Sequence, residues 1–414
     1  MVNGVCVGEP GGQMTRNRLL CIGVLIVTFS FVFFSGGKVP YLFLYAILSV
    51  IVVSVAHALV AAKTCIVSYQ LDSESIVKGD VLTLSLVVEN RGWFFVPYVF
   101  IKDKKMKAFD ILEHVTVFSV APWATEKIKI GIVGKYRGLH DLGLCELSAM
   151  DFLGIVTVKL PIRVVPKAVV YPRLEHLEVF EALDRMVSGT KAAIDRLEED
   201  LLAISDIRNY IEGDSTKRIH WKASARMQSL MSKNYEDRTH TKLNFVLDLS
   251  SQVEDPDIRL AVEDKTIEAA IALAYYVLGK HCEISLRFSG SENMVDDIVE
   301  NMVGLYFNEN MFETLYRVLA VVEFSGAKSS MALLDNLEME TDGSVDALVV
   351  TCNLTELLVR KINDLVERGY AMILVHVHYG QLSEADNELL KRIQAAAVIC
   401  RSISVGAKLH EVLC

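Results

Sequence analysis

The chain has 414 residues, which is enough for about two to four domains of ordinary size. Hydrophobic residues make up 52% of it and the mean hydropathy is +0.33, a high value for a soluble protein that indicates segments lying in lipid. Because 42 lysines and arginines face 52 aspartates and glutamates, the net charge is −10, which argues against a protein built to bind nucleic-acid phosphates.

Two apolar segments near the amino terminus predict a membrane-spanning helical hairpin. Residues 19–34 contain no charge, and residues 40–62 contain His57 as their one ionisable group. A helix needs about 20 apolar residues to cross a bilayer, so residues 19–62 are predicted to hold two transmembrane helices. A cleaved signal peptide is the alternative for the first segment, but the second apolar segment begins at Pro40, too soon to leave a folded product between them.

The positive charges around this hairpin predict its orientation. Arg16 and Arg18 precede it and Lys63 follows it, whereas its loop has only Lys38. The positive-inside rule then places both ends in the cytoplasm. We therefore expect a multi-pass protein of the cell membrane with a cytoplasmic tail at residues 1–18 and cytoplasmic soluble domains.

Residues 63–170 have the pattern of short strands. Polar and apolar residues alternate at 81–89 and at 127–133, and residues 90–92 supply turn chemistry. This pattern predicts a β-sandwich domain, which we interpret as a structural or docking module.

Residues 241–414 instead alternate between strands and helices. Such alternation predicts a doubly wound α/β domain with a parallel sheet and helices on both faces. Ligands of such sheets bind at the carboxyl ends of the strands. The predicted strands are 243–249, 283–288, 347–351 and 371–377, and the predicted helices are 266–278, 311–321, 329–337, 355–368 and 383–395.

Between these two regions, residues 171–240 are predicted to form a charged linker that carries a distinctive motif. Asp214 follows Gly213 and is placed to cap a helix that begins at Ser215, because its carboxylate can accept hydrogen bonds from the first turn. We therefore predict a helix from Ser215 onwards.

Three cations share one face of that predicted helix, since Arg218, Lys222 and Arg226 recur at every fourth residue. One interpretation is a site for an anion or an acidic partner, to which Arg208 adds charge and Trp221 an anchoring ring. The other is an internal ion-pair network that locks the linker against the sheet. The sequence leaves both interpretations open.

The segment 208–226 closely resembles the signature of a bacterial membrane-protein family labelled only as domain of unknown function 58 (DUF58). Residues 134–143 and 151–154 are similar to that family's Gly-Arg-Tyr and Asp-Pro-Phe-Gly stretches, although Phe152 follows Asp151 without the usual proline. The motif residues that we assign to an interaction site are Arg208, Tyr210, Gly213, Asp214, Arg218, His220, Trp221, Lys222 and Arg226.

The resemblance implies that the carboxy-terminal domain is similar to a von Willebrand factor A domain, whose metal site uses Asp-x-Ser-x-Ser after the first strand. Asp248 and Ser250 match this pattern, but Gln252 replaces the second serine and residues 351–353 offer no aspartate. Mg²⁺ prefers hard oxygen ligands with carboxylate charge. We therefore predict no tightly bound metal at this degenerate site. We also predict no catalytic residues and no cofactor.

Other patterns give weaker indications of chemistry. His376 and His378 alternate on one strand and could face the same way, but no third metal ligand is near in sequence. Ser250 or Ser224 could act as a nucleophile with His220 as its base. Neither serine, however, stands in a Gly-x-Ser-x-Gly elbow. The eight cysteines include no Cys-x-x-Cys pair, so we expect reduced thiols in a reducing compartment.

The resemblance also implies association with a MoxR-type AAA+ ATPase in the assembly or maturation of protein complexes. We therefore expect a membrane-anchored, non-enzymatic adaptor or assembly factor. Its expected partners are this ATPase, other membrane or envelope proteins and the lipid bilayer, and no nucleic acid. The alternatives are a cell-envelope enzyme or a polyanion-binding protein that acts through the region of Arg218, His220 and Asp248.

Overall fold

Two apolar helices, α1 at Pro10–Ser35 and α2 at Lys38–Thr64, begin the part of the chain that the computed structural model describes. The chain divides into two units, Met1–Arg173 and Leu174–Cys414. The described residues are 10–104, 107–112, 117–143, 145–162, 164–188, 204–211, 219–235, 242–288, 306–324, 334 and 346–413.

Two glycines form the turn between α1 and α2. Gly36 has a φ angle of 56° and Gly37 one of 85°, values in the left-handed region that residues with a side chain disfavour. The helical segments Thr15–Ser35 and Lys38–Thr64 contain 21 and 27 residues with mean hydropathies of 2.2 and 2.4. Both are therefore long and apolar enough to cross a membrane.

The β module, residues 65–171, follows α2 directly. Its strands are β1 Cys65–Leu71, β2 Ser75–Val77, β3 Val81–Asn90, β4 Val96–Asp103, β5 Phe109–Ile111, β6 Val117–Val120, β7 Thr125–Gly134, β8 Gly138–Asp141, β9 Cys145–Met150, β10 Thr157–Lys159 and β11 Lys167–Tyr171.

These strands form two antiparallel sheets around one hydrophobic core. Among the described residues, one sheet has the order β1-β3-β7-β5, another has the order β10-β9-β4-β6, and β2-β11-β8 form a smaller sheet. Leu84, Leu86 and Ile132 of the first sheet belong to the same buried cluster as Val99 and Leu147 of the second. Alternate side chains of a strand face opposite sides, which explains the alternating pattern of the sequence here.

A tight turn between β9 and β10 attaches α2 to the β module. Asp151, in this turn, is fully buried. One of its carboxylate oxygens accepts hydrogen bonds from the backbone amides of Ile155 and Val156, at 2.7 and 2.9 Å. The other oxygen accepts a hydrogen bond from the hydroxyl of Ser54 on α2. One carboxylate thus orders the turn and binds the helix.

Helix α1 contacts the same turn. The side-chain amide of Asn17 donates to the carbonyl of Leu153 at 3.1 Å, and Nε of Arg18 donates to the carbonyl of Ile155 at 2.8 Å. Gly154 has a φ angle of 69°, and a Cβ there would lie 2.5 Å from the Asn17 side-chain nitrogen. The motif at this turn needs a glycine because α1 approaches its backbone closely.

Replacement of Asp151 by alanine is expected to destabilise the first unit. It leaves two backbone amides and the Ser54 hydroxyl without their acceptor, and a buried donor without an acceptor costs about 1–3 kcal/mol. Thermal unfolding of the detergent-solubilised chain measures the effect. Asp141→Ala is the control, because Asp141 is exposed and its ion pair with Lys167 spans 3.7 Å. Equal melting temperatures for the two variants would contradict the role assigned to Asp151.

The second unit begins with residues 174–188, of which 181–188 are helical. It continues with a small β-hairpin and then with alternating strands and helices. Its strands are β12 Ile204–Asn209, β13 Met231–Tyr235, β14 Lys242–Leu247, β15 Glu283–Phe288, β16 Tyr306–Phe307, β17 Ala347–Thr351, β18 Met372–His378 and β19 Ile399–Ser404. Its helices are α3 Trp221–Met227, α4 Pro256–Gly279, α5 Phe312–Val321, α6 Glu356–Glu367, α7 Glu384–Ala395 and α8 Leu409–Leu413.

In the described part of this unit, the largest sheet has the order β16-β15-β14-β17-β18-β19. Strands β15, β14, β17, β18 and β19 are parallel, and the edge strand β16 pairs antiparallel with β15. Leu348 and Val350 of β17 belong to the core cluster that contains α4 and α5, whereas Ala347 and Val349 belong to the cluster that contains α6 and α7. Of the helix predicted at 329–337, only Leu334 lies within the described residues, and it is helical.

Residues 174–188, part of the predicted linker, contribute to the core of the second unit. Phe180 and Leu183 are buried in the cluster that contains α4. The hydroxyl of Tyr276 on α4 accepts a hydrogen bond from the Phe180 amide at 3.0 Å and donates one to Asp184 at 2.8 Å. Burial is the largest cause of a raised pKa of Tyr276, so this hydroxyl stays protonated at neutral pH.

A buried ion-pair network ties the same segment to α4 and to the end of the chain. Nζ of Lys265 lies 3.1 Å from a carboxylate oxygen of Glu175 and 3.5 Å from one of Glu268. The second oxygen of Glu175 accepts a hydrogen bond from the backbone amide of Leu409 at 2.8 Å. Segments distant in sequence are therefore joined through one lysine and one glutamate.

Lys265→Met is expected to lower the free energy of unfolding by about 3–5 kcal/mol, because it leaves Glu175 and Glu268 without their buried cation. The measurement is the thermal midpoint of the solubilised chain. Arg317→Met is the matched control, since its ion pair with Glu313 is exposed and contributes at most about 1 kcal/mol. A larger effect of the control would contradict a structural role for this network.

Candidate functional site

The carboxyl edge of the parallel sheet carries a buried carboxylate. Asp248 follows β14 and is fully buried. One of its oxygens accepts hydrogen bonds from the amide and the hydroxyl of Ser250, at 3.0 and 2.7 Å. The other accepts from the hydroxyl of Thr351 at 2.8 Å. Asp248 therefore links the loop after β14 to the end of β17.

Residues after β17 complete this network. The side-chain amide of Asn353 donates to the hydroxyl of Ser250 at 3.0 Å, and its backbone amide donates to Thr351 Oγ1 at 2.9 Å. Sequence reasoning recorded only that residues 351–353 lack an aspartate. It missed the roles of Thr351 and Asn353, although the ends of adjacent parallel strands are where such residues meet.

Cys352 lies in the same loop but is not a reactive thiol. Its Sγ is 3.3 Å from the carbonyl of Ser250. Burial, with a smaller contribution from the charge of Asp248, raises the pKa of Cys352 to about 12. The thiol is therefore neutral at physiological pH, whereas nucleophiles and metal ligands are thiolates.

The donor set does not fit a tightly held magnesium ion. Asp248 supplies a carboxylate, Ser250 and Thr351 supply hydroxyls, and Gln252 is exposed where a second serine would stand. Magnesium needs near-octahedral oxygen ligation with carboxylate charge. Across the described ranges, no group of three or more His, Cys, Asp or Glu side chains is arranged to hold a metal ion. Weak metal affinity at Asp248 stays a prediction.

Two histidines lie on the same face of β18, as their alternation predicts. The rings of His376 and His378 have their centroids 6.1 Å apart, with 22° between their planes. Burial lowers the pKa of His376 to about 4, although the charge of Asp386 opposes this shift. Burial lowers the pKa of His378 as well. Both rings are therefore neutral at pH 7.

The low pKa of His376 predicts acid sensitivity. The folded state disfavours the protonated ring, so its stabilising contribution is complete above the unfolded pKa of about 6.5 and is lost as the pH falls towards 4. The loss amounts to about 3 kcal/mol. His376→Gln should therefore show a smaller drop in melting temperature between pH 7 and pH 4 than the unchanged chain. His410→Gln, at an exposed position, is the control and should keep the full drop.

The structure describes the helix of the signature motif from Trp221, so the predicted helix is not continuous through Ile219 and His220. Its predicted start at Ser215 lies outside the described residues. Ile219 forms a β-bridge with Ser232, which makes the chain extended at this point. Nδ1 of His220 then accepts a hydrogen bond from the Ala223 amide at 3.0 Å and caps α3. Of the three cations predicted to share a helix face, Lys222 and Arg226 lie on α3, and Arg218 lies outside the described residues.

The other motif residues lie on β12, beside it, on α3 or outside the described residues. Gly213, Asp214 and Arg218 lie outside the described residues. Arg208 is on β12 opposite Ser232 of β13, and its side chain is also outside the described residues. The Tyr210 amide donates to the carbonyl of Leu230 at 2.8 Å. Lys222 and Arg226 are exposed on α3.

Ser224 and His220 hold this hairpin together through the backbone. The hydroxyl of Ser224 accepts a hydrogen bond from the Met231 amide at 2.9 Å and lies 3.1 Å from the carbonyl of His220. Nδ1 of His220 faces Ala223 rather than this hydroxyl. The arrangement is that of a capped helix and does not place a base on a nucleophile.

Large apolar side chains on this hairpin and on α3 are exposed. Trp221 is 68% exposed, although tryptophan is a residue that folded proteins usually cover. Lys222, the next residue in the sequence, adds an exposed positive charge. We call these residues the motif surface: Ile211, Trp221, Lys222, Met227 and Leu230.

Comparisons with known proteins place this surface inside a family match. Residues 206–295 match the family described as protein of unknown function DUF58. The uncharacterized protein YeaD of Bacillus subtilis (strain 168) is 22% identical over 387 residues, which cover 91% of this chain and 92% of that protein.

Solved structures resemble single parts of the chain. The SpRpn10 VWA domain is 14% identical, with a TM-score of 0.28, and the match covers 42% of this chain and 94% of that one. A FixG-related protein from Vibrio parahaemolyticus is 10% identical, with a TM-score of 0.20, and the match covers 26% of this chain and 96% of that one. The family match at residues 206–295 and the Bacillus relative confirm the resemblance to the DUF58 family that the segment 208–226 indicated.

Proposed function

We propose that the protein is a membrane-anchored, non-enzymatic adaptor that binds a partner protein through the motif surface. The observation that carries this proposal is the exposed Trp221 beside Lys222, within the family-matched segment. Exposed apolar patches with a large aromatic ring and a cation are typical of protein-binding sites. The charge and the apolar area together fit a partner that offers carboxylates around an apolar pocket.

The anchor in this proposal is the helical hairpin, which passes through the cell membrane twice. Its support is the length and hydropathy of α1 and α2. Arg18 and Lys63 flank the hairpin and Lys38 alone lies in its loop, so both ends face the cytoplasm by the positive-inside rule. The two units then work on the cytoplasmic side.

We infer that the β module is a β-sandwich and that the second unit is a doubly wound domain similar to a von Willebrand factor A domain. The shared core of two antiparallel sheets supports the first assignment. The parallel sheet with core clusters on both of its faces supports the second.

The polar groups of the second unit support binding rather than catalysis. Asp248 accepts three hydrogen bonds from its own chain, and His220 and Ser224 cap and close the motif hairpin. Each of these groups is committed to ordering loops. An adaptor needs a rigid scaffold that holds an exposed binding surface, and the ordered loops at the sheet edge and in the motif hairpin fit this need.

The partner that we propose is a MoxR-type AAA+ ATPase, as the family resemblance implies. Trp221→Ala and Lys222→Glu are each expected to weaken binding of the purified ATPase to the detergent-solubilised chain at least about tenfold, as for a central interface residue. Their melting temperatures should stay close to that of the unchanged chain, because both side chains are exposed. Affinity is measured by microscale thermophoresis.

Tyr379→Ala and Lys391→Glu are the matched controls, since they remove an exposed aromatic ring and an exposed lysine elsewhere in the same unit. Both should bind the ATPase as the unchanged chain does. Unchanged affinity of the Trp221 and Lys222 variants would refute the proposed surface. Binding to a polyanion that falls steeply with salt would favour the polyanion-binding alternative instead.

A further inference from the structure

One end of the β module exposes an unusual number of aromatic side chains. Trp93 is 79% exposed and Trp123 is 61% exposed, with their rings 5.6 Å apart. A patch of this kind on a folded domain marks a binding surface. We call the following exposed residues the aromatic end: Trp93, Phe94, Phe95, Trp123, Phe152 and Leu153.

The three loops that carry these residues lie where α2 enters the β module. Asn90 at the end of β3 pairs with Cys65, the first residue of β1. Its side-chain amide donates to the carbonyls of Phe94, at 2.8 Å, and Ala121, at 3.1 Å, and so connects two of the loops. The third loop is the turn that holds Ser54 of α2.

The aromatic end is continuous with the surface of the helices. The His57 ring of α2 lies 4.4 Å from the ring of Phe152 and 6.0 Å from that of Phe94, measured between centroids. Its Nε2 is 2.9 Å from the carbonyl of Phe95. Phe152 and Leu153 also line an apolar groove of about 550 Å³ between α1 and α2.

The lengths of the helices decide what covers this end. Ser54, His57, Ala58 and Ala61 of α2 are buried, which leaves residues 38–53 above the β module. These 16 residues extend about 24 Å at 1.5 Å per residue. The hydrocarbon core of a bilayer is about 30 Å thick. The free part of α2 is therefore shorter than the hydrocarbon core is thick. If α2 spans the core, its last turns and the loops packed on them must lie at the depth of the lipid.

The first helix meets the same limit. Arg18 of α1 donates to the carbonyl of Ile155, so the apolar residues 19–34 above this contact extend about 24 Å as well. Both helices reach the β module before they have crossed the thickness of a bilayer core. The loops at this level must then carry side chains that are compatible with lipid. The aromatic end carries such side chains, because aromatic residues such as tryptophan are enriched at membrane interfaces.

We propose that the aromatic end of the β module is seated in the interfacial layer of the bilayer that the hairpin crosses. This inference rests on the proposed membrane anchor. Tryptophan prefers the boundary between hydrocarbon and headgroups, because its ring is apolar and its N–H can donate a hydrogen bond. The insertion covers the patch and sets the orientation of the β module relative to the membrane plane.

Tryptophan fluorescence of the full chain in vesicles tests this proposal. The chain contains three tryptophans, and Trp221→Phe leaves only Trp93 and Trp123. The variant is reconstituted in phosphatidylcholine vesicles with and without 6,7-dibromo-phosphatidylcholine, which quenches emission from rings in contact with lipid. We expect roughly half or more of the emission to be lost in the brominated vesicles, and little quenching by aqueous iodide.

The matched control is the double variant Trp93→Phe with Trp123→Phe, in which Trp221 alone emits. Its emission should be insensitive to the brominated lipid and sensitive to iodide. If Trp93 and Trp123 respond to iodide, or if neither quencher affects them because protein covers them, the lipid-facing surface is refuted. Equal quenching of Trp221 by the brominated lipid also refutes it.

Flotation of the vesicles on a density gradient separates the two proposals. If the chain floats with the vesicles but the brominated lipid does not quench Trp93 and Trp123, the membrane anchor is supported. The interfacial position of the aromatic end is then refuted. A chain that does not float refutes both.

Discussion

Helix α2 ends at Thr64 and strand β1 begins at Cys65, so the hairpin and the β module are joined without a linker. The Arg91 amide donates to the carbonyl of Thr64 at 3.1 Å, and a Cβ at Gly92 would lie 2.8 Å from the Thr64 hydroxyl. The helix therefore packs directly on the sheet edge. A second attachment at the Asp151 turn prevents rotation about this junction, so a membrane that orients the hairpin also orients the β module.

Buried polar groups in the second unit serve mainly to connect segments that are distant in sequence. Asp248 and Thr351 are 103 residues apart, and the hydroxyl of Tyr276 joins α4 to Asp184, 92 residues earlier. Asp248 and the Tyr276 hydroxyl are stable in the interior because each has its hydrogen-bond partners. Trp221 differs from these groups, because it is exposed and a side chain of that size left in water contributes little to folding.

Local patterns in the sequence predicted the helices and strands well where one face is buried. Strand β3 shows alternating burial at the positions where the apolar residues alternate, and β17 is buried along its whole length, as a central parallel strand should be. The helix predicted from Ser215 is interrupted at Ile219 for a non-local reason. Ile219 pairs with Ser232, and this bridge keeps the chain extended before the helix that begins at Trp221.

The sequence by itself determined the apolar hairpin, the rhythm of strands and helices and the family signature, because each depends on the spacing of neighbouring residues. Only the tertiary structure decided which distant segments the residues of these motifs contact. Asp151 and Gly154 were matched to a family stretch by adjacent residues alone, yet their neighbours in the fold are Ser54 and Asn17, about 100 residues or more earlier in the chain. Hydrogen bonds and close approaches between distant segments arise from packing, and no local pattern encodes which segments will meet.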